Sequence, residues 1–161
     1  MNQQTAIYAG TFAPITLGHL DIIEQAAKLF NTLTIAVSPY HRDDLALSQE
    51  QRIALIQAAT AHLKNIEILP LSGSLASFAK ATHAKWLIRG LRNAQDYAQE
   101  QSMAAMNQAL NPELHTIFLQ AHSAHQAIQA TLVRQLMLCK EDISAFVPKA
   151  VADWYKDRFK I

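Results

Sequence analysis

The chain has a single cysteine, Cys139, and only four glycines among its 161 residues. One cysteine closes no internal disulfide, so the fold cannot rest on a disulfide framework, and such usage suits a reducing compartment. In the segment "LVRQLMLCK" Cys139 reads as a small core hydrophobe. No excess of charge of either sign exists: 14 basic against 13 acidic side chains leave +1, which provides no global attraction to nucleic acid. No apolar run approaches the roughly 18 residues a membrane span needs. The opening residues lead straight into a strand-like segment with neither a basic region nor a cleavage site, which predicts a cytoplasmic protein without membrane partners. Repeats, low-complexity tracts and Gly/Ser linkers are missing too, which predicts one domain over residues 1–161. Several signatures are absent: Gly-x-x-x-x-Gly-Lys-Ser/Thr, Gly-x-Gly-x-x-Gly, Gly-x-Ser-x-Gly and Cys-x-x-Cys. Their absence removes the common ATPase, dehydrogenase, hydrolase and thiol-redox readings.

What is present is a regular alternation. Half of the residues are hydrophobic, and they fall into short β-favouring runs separated by runs with helical spacing. Strands are predicted at Thr5 to Ala9, Leu33 to Val37, Ile66 to Leu69, Trp86 to Ile88 and Thr116 to Leu119. Helical spacing covers Leu20 to Phe30, a segment after the Ser48/Gln51 capping pair, Leu75 to Ala81, Ala94 to Leu110 and Ile128 to Leu138. Two shorter helices are predicted to close the chain, Glu141 to Phe146 and Lys149 to Phe159. Strands that each lead into a helix imply parallel pairing, and the crossover helices then cover the sheet. The fold class is α/β, a five-stranded parallel sheet with helices on both faces.

In such sheets the ligand crevice lies beyond the strands' C-terminal ends. At the first of these stands "YAGTFAPITLGH", residues Tyr8 to His19. Gly10 permits close backbone approach, and the helix start offers free N–H groups to an anion. His19 is positioned to donate to a phosphoryl oxygen; the plain alternative is a histidine that caps its own helix. At another strand end, "LIRGLRNAQDYAQE" places Arg89 and Arg92 around Gly90. Guanidinium forks suit phosphate oxygens, although pairing with Asp96 and Glu100 on a surface would use them up. Tyr40, His41 and Arg42 follow the second strand, where "HRDD" also reads as a charge-balanced loop. His122 and His125 have a spacing that two metal ligands could use, but no carboxylate or cysteine pattern completes a metal site.

"GTFAPITLGH" resembles the G-T-F-D-P-x-T-x-G-H signature of the nucleotidyltransferase superfamily. "LIRGLR", "DYAQE", "MN", "PEL", "LSQEQRIALIQAATAHLKNIEILPL" and "DISAFVP" extend the likeness nearly end to end, to the bacterial phosphopantetheine adenylyltransferase branch with its Rossmann-like fold. The resemblance implies transfer of an adenylyl group from ATP to 4′-phosphopantetheine, giving dephospho-coenzyme A and pyrophosphate, with Mg2+. The acceptor phosphate attacks directly, so positioning and charge neutralisation outweigh any covalent nucleophile. By motif position His19 stabilises the transition state. Thr11, Arg89, Leu75 and either His41 or Arg42 hold the acceptor. ATP falls to Thr11, Phe12, His19, Gly90, Leu91, Arg92, Glu100, His125, Ile128 and Thr131, with His125 standing where the family has an aromatic residue. A homohexamer and binding of dephospho-coenzyme A or coenzyme A belong to the same implication.

Three departures stand against this background. Ala13 occupies the usual aspartate position, removing a carboxylate from the phosphate loop where magnesium or its waters would be organised. "PYHRDD" replaces the segment that carries the acceptor-binding lysine, and "IQATLVRQ" replaces the serine cluster and its Lys-Glu. These changes keep two alternatives open: a weakly active or inactive relative that binds nucleotide or coenzyme A, and a transferase with another acceptor or nucleotide.

Overall fold

A computed structural model describes residues 4–39 and 47–160. Alternation along β1 (Thr5–Gly10) sets up the two cores of the molecule, because successive side chains leave a strand on opposite faces. Ala6 and Tyr8 enter one core, and Ile7 and Ala9 enter the other. Burial on both faces accounts for the run of apolar residues without polar interruption.

The remaining strands are β2 (Thr32–Val37), β3 (Ile66–Pro70), β4 (Trp86–Leu91) and β5 (His115–Gln120). All neighbours are parallel, in the order β3-β2-β1-β4-β5. The helices are α1 (Leu17–Leu29), α2 (Gln49–Ala59), α3 (Leu75–Ala81), α4 (Ala94–Leu110), α5 (Ala130–Leu138) and α6 (Lys149–Phe159). Residues of α1, α2, α5 and α6 fill the larger core, whereas Phe78 and Ala79 of α3 pack on the opposite face, with α4 beside them. The expected α/β sheet with helices on both faces is the one observed.

Chain order reverses between β1 and β4, and there the two strands part. Their register covers only Ala6, Ile7 and Tyr8 against Trp86, Leu87 and Ile88. Beyond it Ala9 and Gly10 continue alongside β2, while Arg89, Gly90 and Leu91 continue alongside β5. The splay opens a crevice at the C-terminal edge, where open α/β sheets bind their ligands.

Several boundaries differ from the periodicity. β4 runs three residues past Ile88, so Arg89, Gly90 and Leu91 are strand residues held by β5 rather than parts of a loop. α5 begins at Ala130, after a 3-10 turn at Ser123–His125 and an extended Gln129. Glu141 to Phe146 forms turns instead of a helix. The Asp142 carboxylate accepts from both the Ser144 backbone N–H at 2.9 Å and its hydroxyl at 2.5 Å, a local bond that competes with helical pairing. Cys139 is exposed rather than in the core. It lies two residues beyond buried Met137, about 200° round the helix at 3.6 residues per turn.

Gly90 marks the tightest approach of helix to sheet. A Cβ there would stand 2.9 Å from Ile22 Cγ1 of α1, whose side chain is itself buried. Gly90→Ala is expected to lower stability by about 1–3 kcal/mol through overpacking. Combined with Ile22→Ala, which vacates that space, it should cost clearly less than the sum of the two single changes. Urea denaturation of the double-mutant cycle checks this, and strict additivity would contradict it.

Candidate active site

A cleft of about 600 Å³ occupies the splay between β1 and β4. Thr11, Phe12, His19, Arg89, Gly90, Arg92, Glu100, Ile128 and Thr131 all line it, so most of the residues singled out in the sequence come together. Leu75 lies beside it, in a narrower cleft walled by the same Arg89 and Glu100. Leu91 and His125 are not on the wall of the main cleft. His125 lies in the 3-10 turn, and its carbonyl stands 3.7 Å from where a Cβ of Gly18 would be. His41 and Arg42 lie outside the described residues.

His19 caps its own helix, the plain alternative that the sequence left open, and its ring also lines the cleft. Thr16 caps α1, its hydroxyl accepting from the His19 backbone N–H at 3.3 Å, while the Thr16 backbone N–H donates to His19 Nδ1 at 3.1 Å. A backbone N–H can only donate, so Nδ1 is the unprotonated nitrogen and the proton sits on Nε2. The cap therefore fixes the tautomer and leaves Nε2–H as a donor on a cleft-lining ring. Burial pushes the His19 pKa down to about 4, helped by the positive charges of Arg92, Arg89 and Arg134. The imidazole is neutral at physiological pH.

Beneath it the phosphate loop is held in an uncommon shape. Phe12 has a φ of 48° and is 2% exposed, with its ring packed edge-on to Tyr8 and His19 at centroid distances of 5.4 and 5.1 Å. Its ring is thus core, and what it can offer a ligand is backbone. Tyr8 forms part of the cleft floor, and burial raises its hydroxyl pKa to about 12, which keeps it a neutral phenol.

Both arginines carry the pairings considered in the sequence, yet they remain on the cleft wall. Glu100 binds Arg89 through two bonds of 2.6 Å, to Nε and Nη2, and Arg89 Nη1 donates to the Ala9 carbonyl at 2.9 Å. That carbonyl lies past the end of the β1–β4 register, so the guanidinium takes over where the ladder stops. Burial disfavours the Arg89 charge, but the bonds and charge of Glu100 outweigh it and raise the pKa. Asp96, at the start of α4, holds Arg92 through bonds of 3.0 and 3.1 Å. Glu100 and Asp96 therefore aim cations rather than contribute free negative charge.

Sequence reasoning missed Arg134 and Arg52. Arg134 of α5 donates to the Ala13 carbonyl at 3.1 Å and to the Thr131 hydroxyl at 3.1 Å, adding a third guanidinium to the wall. Its signal was the arginine in place of the family's lysine. Arg52 is fully buried behind the loop, and nothing in the helical spacing of its segment marks it out.

The residues present do not fit a protein-held Mg2+. A hard cation needs uncommitted oxygen ligands, and here Ala13 supplies none while Asp96 and Glu100 are bound to arginines. Among the described residues no three His, Cys, Asp or Glu side chains are grouped to hold a metal. His122 instead bonds buried Asp21 through its ring Nδ1 and its backbone N–H.

The unfolded imidazole of His19 takes up its proton near pH 6.5 and the folded one near 4. Between these values the unfolded chain binds more protons, so stability should rise with pH across that window, with no His19 contribution to pH dependence above it. Nitrogen-15 NMR of the imidazole is expected to show an Nε2-protonated neutral ring at pH 6; a titration midpoint between 6 and 7 would contradict the assignment.

Residues 7–136 match the cytidylyltransferase-like family. The phosphopantetheine adenylyltransferase of Coxiella burnetii strain Dugway 5J108-111 is 44% identical over 147 residues, 91% of this chain and 92% of that protein, and the same holds for strain RSA 493. Among solved structures, a bifunctional NMN adenylyltransferase/ADP-ribose pyrophosphatase from Francisella tularensis superposes with a TM-score of 0.77 at 16% identity, covering 99% of this chain and 50% of that one. A Vibrio parahaemolyticus protein assigned as a nicotinate-nucleotide adenylyltransferase gives 0.71 at 15%, covering 97% and 93%. The structures share the fold, and the sequence match goes further: this chain belongs to the cytidylyltransferase-like nucleotidyltransferases, in the phosphopantetheine adenylyltransferase family.

Proposed function

We propose that this enzyme transfers an adenylyl group from ATP to 4′-phosphopantetheine, yielding dephospho-coenzyme A and pyrophosphate, with residues 1–161 acting as one cytoplasmic domain. The observation that carries the reading is the joining, in one cleft, of a tautomer-fixed His19 N–H donor with the phosphate loop and three guanidiniums. An acceptor phosphate oxygen attacks the α-phosphorus of ATP. The bond from that phosphorus to the bridging oxygen breaks, and its electron pair leaves with pyrophosphate. His19 Nε2–H donates to the phosphoryl oxygen on which charge develops, an interaction stronger in the transition state than before it. A neutral imidazole suits this task because it needs no proton exchange during turnover.

Arg89, aimed by Glu100, faces both the main cleft and the narrow one beside Leu75, Met103 and Asn107. This supports an acceptor whose phosphate sits on Arg89 and whose amide-bearing arm runs toward Leu75 and Asn107. Arg92 and Arg134 face the nucleotide phosphates, and Gly18, Ile128 and Thr131 bound the nucleotide end. With no free carboxylate among the described cleft residues, magnesium would be brought by the nucleotide. We also infer a homo-oligomer, a homohexamer by family resemblance: Met103, Met106 and Leu110 form an exposed apolar stripe along α4, with Tyr97 on the same helix.

Pyrophosphate release from ATP and 4′-phosphopantetheine should be measurable and should fall about 10²–10³-fold in kcat for His19→Ala. Turnover no higher in the wild type than in that variant, or use of a different acceptor alone, would overturn the proposal. Sedimentation analysis should find an assembly larger than a dimer, and a monomer at micromolar concentration would refute the oligomer.

A further inference from the structure

Arg52 lies four residues after the Ser48 cap of α2 and is 0% exposed. Its Nη1 donates to the carbonyl of Thr11 at 2.6 Å and to that of Ser38 at 2.8 Å. Among the described residues its buried Nε and Nη2 have no hydrogen-bond partner, and no carboxylate forms an ion pair with it. A guanidinium placed so is costly to keep, while apolar Leu55 and Ile56 serve the same helix's packing.

The two carbonyls belong to the loops that follow β1 and β2, and both Thr11 and Ser38 line the cleft while Arg52 itself does not. A planar trans peptide holds its C=O and N–H on opposite sides. With the Thr11 carbonyl turned back onto Arg52, the N–H of Phe12 turns away from Arg52, and Thr11 and Phe12 both line the cleft. That N–H has no acceptor among the described residues, and Phe12 is the loop residue with φ of 48°. A bulky residue in that conformation persists only where its surroundings impose it.

We propose that Arg52 is a positioning residue: by clamping the Thr11 carbonyl it holds the Phe12 N–H as a fixed donor to a phosphate oxygen of the bound nucleotide. The buried charge also polarises the intervening peptide, strengthening that donor. This inference rests on the adenylyl-transfer reading for its kinetic consequences, but its anion-binding element can be tested without turnover.

In Arg52→Gln and Arg52→Lys, melting curves give the folded fraction at the assay temperature. Per folded molecule, kcat of Arg52→Gln should drop by about tenfold to a hundredfold with a smaller change in KM, since a misplaced donor harms the transition state most. Calorimetric binding of inorganic pyrophosphate should weaken with it, and Arg52→Lys should restore part of that binding by returning the charge. A purely structural role would lower melting temperature and leave kcat per folded molecule and pyrophosphate affinity within twofold, which would overturn the proposal. If neither variant folds, the wild type decides: on pyrophosphate titration the Phe12 amide proton should move downfield, and saturation without movement of that resonance would refute the donor. Failure of adenylyl transfer by the wild type would strike the functional reading instead, leaving the amide titration to judge Arg52.

Discussion

The parting of β1 from β4 is the constraint on which the rest depends. A parallel sheet that reverses chain order must place two strands side by side whose following helices go to different places. Here their shared register ends at Tyr8 and Ile88, and the Ala9 carbonyl beyond it would lose its partner. Arg89 supplies one, and Glu100 on α4 holds the guanidinium from the other side. The same side chain thus closes the ladder and faces the cleft that the parting creates. Gly90 lets Ile22 of α1 pack into this junction, which fixes the helix carrying His19 relative to the strand carrying Arg89.

Preorganisation is the second theme. The cleft contains few groups free to rearrange: His19 is tied through Nδ1 to its own helix cap, Arg92 to Asp96, and Arg134 to the Ala13 carbonyl and Thr131. Donors fixed in this way cost little reorganisation when charge develops on a phosphoryl group. The loss of a carboxylate at Ala13 belongs with this arrangement. The loop keeps its path through Arg134 and Arg52, and the wall is richer in guanidinium than in free negative charge.

Legibility in the sequence followed the range of the interactions. Strand positions, the Ser48/Gln51 cap and α4 from Ala94 to Leu110 were readable because their causes lie within a few residues. The helix expected at Glu141 to Phe146 failed because one carboxylate, Asp142, bonded its neighbour Ser144 instead. Cys139 was misplaced since hydrophobic neighbours were read without their angular position about α5. His125, which stands where the family has an aromatic residue, falls in a 3-10 turn off the wall of the main cleft, a placement that spacing alone does not show. Arg52 left no trace, because its partners are backbone carbonyls 41 and 14 residues away.

The sequence by itself determined the alternation of strand and helix, hence a parallel sheet, and through its T-x-G-H and R-G-L-R motifs the chemistry of the edge. The first follows from local spacing, and the second from the resemblance of those motifs to a known family. Only the tertiary structure decided that His19 caps its helix through Nδ1 and so keeps its proton on Nε2, that Asp96 and Glu100 pair with arginines, and that Arg52 stands behind the loop after β1. Those outcomes depend on which groups meet across the sheet, and a hydrogen bond to a distant carbonyl has no signature in the order of residues.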